Sequence, residues 1–194
     1  ICDRLKKDRK SINIVYAGTI AKAQKPEILN KAIRLLFNQH PSLKDKVEVD
    51  IYGQKGYYYR LFYKKTLING IRFNNFIPYD MLLNKIQDDS DIGFFSLADE
   101  KFSYATPTKL FDYINLELPI LAAIPDGEAK DIITKDQIGY TCHFSDISKL
   151  SELIYMYNKD REQINTFKSN IKKIKQKYSL KYQVNIMSMK LNEI

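Results

Sequence analysis

The chain has 194 residues and a formal net charge of +8, from 31 Lys and Arg against 23 Asp and Glu, with two cysteines and two histidines. That length supports one domain with a real core, alone or with an appendage, and no apolar run reaches the roughly 20 residues of a membrane span. Cys2 and Cys142 form neither a metal-ligand spacing nor a disulfide framework, which excludes zinc, haem and disulfide-scaffold classes.

In chain order, SINIVYAG reads as a strand from Ile12 to Ala17, closed by Gly18. Pro26 to Gln39 carries Ile28, Leu29, Ala32, Ile33, Leu35 and Leu36 at helical spacing. Val47 to Tyr52 is a second strand ended by Gly53, and the tyrosine-rich stretch Tyr57 to Leu67 is predicted helical. A short third strand, Gly70 to Phe73, leads through the loop NNFIP to a helix over Tyr79 to Ile86. Buried strands follow at Ile92 to Leu97 and Pro119 to Ala123, flanking a helix that opens with Pro107 at its first position. Gly127 to Thr134 reads as helix and Gly139 to Cys142 as a last strand. Helices then cover Ser145 to Tyr157 and Arg161 to Lys175, before an amphipathic segment from Leu180 to Leu191. Near-continuous apolar strands alternating with helices predict a parallel sheet covered on both faces, with ligands at its C-terminal edge.

The candidate site gathers at that edge. Gly18 ends the first strand and lets backbone approach a phosphate; a tight turn needs the same residue. Lys22 and Lys25 follow in one loop, where a lysine either enters the crevice or faces solvent. Gly53 ends its strand in the same way, and a structural turn is its plainer reading. Phe76 or Ile77 could pack on a base, although apolar loop residues are more often core. Pro107, Thr108, Lys109 and Asp112 form the strongest group: free amides of a first helical turn, a hydroxyl, a cation, and an acid able to accept sugar hydroxyls. No GxGxxG or Walker lysine–serine pair is present, so dinucleotide and P-loop readings are weak. His40 reads as a helix-end residue, and His143 follows a short strand.

These residues resemble the donor-binding half of retaining GT-B glycosyltransferases, most closely glycosyltransferase family 4. YATPTKLFDYINLELPILA is similar to that family's SPxKLFEYMAxGxPVLA, and YAGTIAKAQKPEILNKAI to its first strand, glycine loop and lysine-bearing helix start. VDIYGQKG and IRFNNFIPYDMLLNKIQDDSDIGFFSL resemble its second strand and its following strand–helix–strand segment, so the ordered match covers Ile12 to Tyr157. The resemblance implies an α/β, Rossmann-like parallel sheet with helices on both faces, the C-terminal half of a GT-B fold, plus C-terminal helices. Residues 11–157 would form the nucleotide-sugar-binding domain, and 158–194 helices packing toward an N-terminal domain outside this chain.

By the same resemblance, Gly18 and Thr19 line a diphosphate crevice, and Lys25 pairs with a donor phosphate. Thr108 and Lys109 hold the distal phosphate and assist its departure, which makes Lys25 and Lys109 the catalytic candidates. Asp112 accepts from the donor ribose, and Phe76 with Ile77 covers the base. Tyr104 stands where the family carries an acid that contacts the transferred sugar, and Thr19 stands in place of an arginine. Glu117 replaces a glycine, which implies a different turn before the next strand.

The implied activity is sugar transfer from a nucleoside-diphosphate sugar to a sugar, lipid-linked or protein acceptor, with no metal or cofactor. The setting implied is bacterial cell-surface polysaccharide or glycoconjugate synthesis. The rivals are a degenerate, non-catalytic domain used in assembly, and a nucleotide-sugar epimerase on the same scaffold. The chain starts at Ile1 and reads as part of a longer protein, cytoplasmic and able to touch the inner membrane face. Its lysines are dispersed outside KKDRK and KKIKQKYSLKY and match no nucleic-acid motif, so no nucleic-acid partner is expected.

Overall fold

The computed structural model describes residues 11–20, 23–25, 27–53 and 70–179, with positions 182, 184 and 188. The helix expected over Tyr57 to Leu67, Lys22, and all but three positions of the segment Leu180 to Leu191 lie outside the described residues.

Six strands, β1 (Ile12–Ala17), β2 (Val47–Tyr52), β3 (Ile71–Asn74), β4 (Ile92–Ser96), β5 (Ile120–Ala123) and β6 (Gly139–Cys142), form one sheet in the order β3-β2-β1-β4-β5-β6. Every pairing is parallel. This is the doubly wound order, in which the chain reverses its direction of travel between β1 and β4 and leaves a crevice beyond their carboxyl ends. Helices α1 (Glu27–Gln39), α2 (Tyr79–Asp89), α3 (Thr108–Asn115), α4 (Glu128–Lys135), α5 (Ile147–Lys159) and α6 (Arg161–Ile174) complete the described regular structure, with short 3-10 turns at Pro41–Leu43, Glu100–Phe102 and Lys175–Tyr178.

The period-2 alternation of each strand sends its side chains into two cores. Ile12, Ile14 and Tyr16 of β1 pack with Leu29, Ile33 and Leu36 of α1 and with Leu150, Ile154 and Tyr157 of α5. Val15 and Tyr52 turn to the other face, against Ile86 of α2, Leu110, Tyr113 and Ile114 of α3, and Ile133 of α4. Helix α6, one of the helices expected to pack toward an N-terminal domain, joins both cores of this domain: Ile164 and Phe167 enter the first, and Ile171 the second. Its apolar residues recur at helical spacing, and burying them against the sheet is favourable by roughly 1.5–3 kcal/mol each.

Two expectations about helix ends change. Pro107 is not the first helical residue; with ψ at 144° it is the extended residue before it, and Thr108 starts α3. Glu117 does not produce a different turn. It takes the left-handed conformation itself, φ 57°, the conformation a glycine adopts at such a position without strain. The Leu118 amide donates to the Tyr113 carbonyl and the Glu117 amide to the Ile114 carbonyl, at 2.9 and 3.1 Å. That pair of bonds is the Schellman closure of a helix. The α4–β6 connection repeats it, with Gln137 at φ 50° and the Ile138 amide on the Ile133 carbonyl. In both turns the residue after the left-handed position, Leu118 or Ile138, is buried and anchors the strand that follows.

Candidate functional site

The crevice is made by the way β1 and β4 part. Their ladder holds only at Ile14 with Ile92 and Val15 with Gly93, whereas β1 and β2 remain paired to Ala17 and Tyr52. The side chain of Tyr113, from α3, fills the split. Its hydroxyl donates to the Phe94 carbonyl at 3.0 Å and accepts from the Ala17 amide at 3.2 Å. Burial pushes this phenol far above its ordinary pKa, so it remains a neutral donor. The ring lies directly on Gly93, where an added Cβ would stand 2.4 Å from it. Gly93 and Tyr113 therefore fix the height of α3 over the sheet, and with it the positions of Lys109 and Asp112.

At the mouth, Gly18 leaves β1 with φ 126° and Lys109 folds over it; a Cβ on Gly18 would meet Lys109 Cε at 2.7 Å and Nζ at 2.8 Å. Lys109 Nζ also lies 5.3 Å from the centre of the Tyr16 ring. Burial lowers the Lys109 pKa, opposed by the charge of Asp112. Among the described residues Lys109 makes no ion pair. The start of α3 is equally open: Pro107 offers no side-chain cap, and the Thr108 and Lys109 amides have no acceptor among the described residues. By contrast α5 and α6 are capped by Asp146 and Asp160, which accept from the Lys149 and Gln163 amides. A cation without a partner beside free amides is an electrostatic environment for an anion.

A cavity of about 250 Å³ opens here, lined by Gly18 and Thr19, by Thr108, Lys109 and Asp112 of α3, and by Tyr79 of α2, with an apolar floor of Leu82, Ile86 and Leu116. Thr19 is exposed at the rim, and its carbonyl accepts from the Tyr16 hydroxyl at 2.7 Å. Asp112 is already engaged: Tyr79 donates its hydroxyl to Oδ1 at 2.6 Å.

The structure thus brings together Gly18, Thr19, Thr108, Lys109 and Asp112, with Pro107 setting the helix start. Gly53 does not line the cavity; a Cβ there would stand 2.3 Å from the Gly18 carbonyl oxygen, so its role in the described geometry is close backbone packing. Lys25 occupies the neighbouring loop and does not line the cavity. Its φ of 34° is a left-handed strain for a lysine. That loop is held by Ser96, whose hydroxyl donates to the Gln24 carbonyl, and by the Ala98 amide on the Ala23 carbonyl. The carboxyl of Asp99 is held below its ordinary pKa chiefly by the Lys101 amide and ammonium, and the charge of Lys25 adds a smaller effect.

Phe76 and Tyr104 are 72% and 76% exposed and outside the cavity, while Ile77 packs on the second core. His40 stacks on Tyr155 at 4.5 Å, a helix-end role. His143 joins Ser145 and Glu100, each at 2.7 Å. Cys142 is buried and its thiol is pushed up to about 12. Among the described residues no cluster of three His, Cys, Asp or Glu could hold a metal, and no helix is long and apolar enough to cross a membrane.

Tyr79, Gly93 and Tyr113 are the site residues that sequence reasoning missed. Gly93 carried a signal, since a glycine inside a buried strand marks a close approach. Tyr79 and Tyr113 carried none beyond helical periodicity.

Residues 2–174 match the family described as glycosyl transferases group 1. No curated protein matches the sequence. Among solved structures, TarM superposes with a TM-score of 0.73 at 14% identity, over 95% of this chain and 35% of TarM. The C-terminal domain of the group 1 glycosyl transferase LpcC from Francisella tularensis gives 0.69 at 17% identity, over 87% of each chain. The pneumococcal O-GlcNAc transferase GtfA, solved with UDP and GlcNAc, gives 0.67 at 16% identity, over 95% of this chain and 36% of GtfA. The fold is that of a GT-B C-terminal domain, and the chain spans about a third of the length of TarM and GtfA.

Proposed function

Because the chain belongs to the glycosyl transferases group 1 family, we propose that it is the donor-binding domain of a retaining glycosyltransferase that takes its sugar from a nucleoside diphosphate. The observation that carries the reading is Lys109, unpaired among the described residues, held over Gly18 at the uncapped start of α3. That GtfA was solved with UDP and GlcNAc supports the same class of ligand.

In this reading the diphosphate lies in the crevice against Gly18 and Thr19. Its distal phosphate meets the Thr108 and Lys109 amides and the Lys109 ammonium. Asp112 accepts from the ribose, and Phe76 with Ile77 borders the base. Cleavage of the anomeric bond moves negative charge onto the leaving phosphate oxygen, where donors already in place stabilise it most. The positive charge comes from lysine and a helix terminus, so the reading calls for no metal. Lys25 approaches the phosphate from the neighbouring loop once the ligand is present. The acceptor, a sugar, a lipid-linked sugar or a protein, is met on an N-terminal domain of the same protein. Cell-surface polysaccharide or glycoconjugate synthesis at the cytoplasmic membrane face is the setting proposed.

Calorimetry on the intact protein with uridine, guanosine and adenosine diphosphates tests the reading. At least one binds, and Lys109→Met weakens it about ten- to hundredfold, the worth of a charged hydrogen bond. Binding by none of the three would favour a non-catalytic assembly role.

A further inference from the structure

The bond from Tyr79 to Asp112 plays no part in the proposed function, yet it sits across its site. Tyr79 is the first residue of α2 and Asp112 lies in the second turn of α3, so their contact bridges the two helices where the cavity opens. At 2.6 Å it is a short, charge-assisted bond. The acid in turn keeps the phenol protonated, its pKa pushed up to about 12 mainly by this hydrogen bond. The rest of Tyr79 is loosely held. It is 57% exposed. Asp112 is therefore the polar group that draws the phenol over the opening.

A hydroxyl donating to this carboxylate is the same chemistry a ribose would bring to it. We infer that Tyr79 is an affinity-setting residue of the nucleoside subsite: its phenol stands in for a ribose hydroxyl on Asp112 and must be exchanged when a ribonucleotide enters. The inference rests on the donor-binding reading above. A one-for-one exchange of hydrogen bonds gains little, whereas a ribose meeting a carboxylate without the phenol replaces only water. Tyr79 thereby holds nucleotide affinity down and eases release of the nucleoside diphosphate after transfer. A ligand with no ring hydroxyls has nothing to exchange and leaves the Tyr79–Asp112 bond intact.

Tyr79→Phe keeps the exposed ring and removes only the hydroxyl, so the fold has no reason to change. The test is calorimetry on the intact protein, wild type and Tyr79→Phe, with uridine, guanosine and adenosine diphosphates and their 2′,3′-dideoxy counterparts. The expected result is a gain of about fivefold for the ribonucleotide that binds, the worth of freeing an acceptor occupied most of the time, with no change for its dideoxy form. A loss or no change with the ribonucleotide would overturn the inference and make the phenol a support for Asp112. An equal gain for both forms would also overturn it, by making Tyr79 a steric obstacle. Failure of every nucleoside diphosphate to bind wild type, or binding indifferent to Lys109→Met, would remove the donor-binding reading itself and the inference with it.

Discussion

Lys109 and Asp50 are both charged groups set against the same parallel sheet, and their surroundings are opposite. Asp50, on β2, is almost fully surrounded by donors. Arg72 reaches it through Nε at 2.9 Å and Nη2 at 2.7 Å, and the Asn74 and Asn13 side-chain amides each donate at 2.8 Å. Burial pushes this carboxyl up, but the bonds from Arg72, Asn74 and Asn13 outweigh it and hold it below the usual range. Arg72 is itself completed by Glu48 at 2.6 Å. Lys109 has an aromatic ring, a glycine and an acid already engaged by Tyr79. A buried charge whose partners are all present serves the fold, and a partly buried charge without them is left for a ligand.

The largest expected effect breaks the crevice and spares the fold. Lys109→Met should lower the rate of sugar transfer by the intact protein about 10²–10³-fold, the cost of removing one preorganised donor at a developing oxyanion. Stability should stay within about 0.5 kcal/mol, because no described ion pair is lost. The pH dependence has a definite sign. Burial lowers the Lys109 pKa, so as pH rises the ammonium is lost earlier than that of an exposed lysine. Donor affinity should therefore fall on alkaline titration earlier than an exposed lysine would dictate, and Lys109→Met should remove that limb of the titration. A denaturation curve shifted as far as the rate would place Lys109 with Asp50, as a structural charge.

The second effect is the converse. Arg72→Met should destabilise the protein by about 2 kcal/mol, less than the ~3–5 kcal/mol of a fully buried pair because the Arg72 side chain meets solvent along half its surface. Nucleotide binding should be unaffected. Asp50 has a depressed folded pKa, so its contribution is present above its unfolded value of about 3.9 and is lost as pH falls through the folded one. The gap between wild type and Arg72→Met, read from urea unfolding, should accordingly be full at neutral pH and close on acidification.

Why one cluster was legible in sequence and the other was not follows from the range of the interactions. Strands buried on both faces are continuous apolar runs, so IVYA, GFFS and ILAA announced β1, β4 and β5 and the parallel sheet around them. Thr108, Lys109 and Asp112 lie within one helical stretch after a proline, and local periodicity was enough to group them. Tyr113 sits in the same stretch and was missed, because an aromatic at a core position says nothing of where its hydroxyl goes. Its partners are on β1 and β4, up to 98 residues away. The Tyr79–Asp112 bond spans 33 residues and depends on how α2 and α3 cross the sheet edge. Asp50 and Arg72 meet only through the β2–β3 register, which pairs Asp50 with Arg72 directly. Glu117 was expected to bring a different turn because it takes the place of a glycine, but sequence alone does not show that a residue with a side chain can hold the left-handed position at which the backbone bonds close the helix.

That turn supplies the smallest and most discriminating test of the division between satisfied and unsatisfied charge. A left-handed conformation costs a residue with a side chain about 1 kcal/mol relative to glycine. Glu117 recovers part of this through Lys175 at 3.2 Å and Lys172 at 3.8 Å, both more than a third exposed. Such pairs return at most about 0.5 kcal/mol each. Glycine would also enlarge the entropy of the unfolded chain by up to about 1 kcal/mol. The terms oppose one another at similar size, so Glu117→Gly should change stability by no more than about 1 kcal/mol at low salt. Added salt screens the two ion pairs of wild type and leaves the glycine turn untouched, so the balance should move toward the variant as ionic strength rises. A loss well above 1 kcal/mol that salt does not alter would mean the lysines hold the turn as Arg72 holds Asp50. The α3–β5 connection, and the placement of Lys109 and Asp112 at its other end, would then rest on charge and not on the backbone closure.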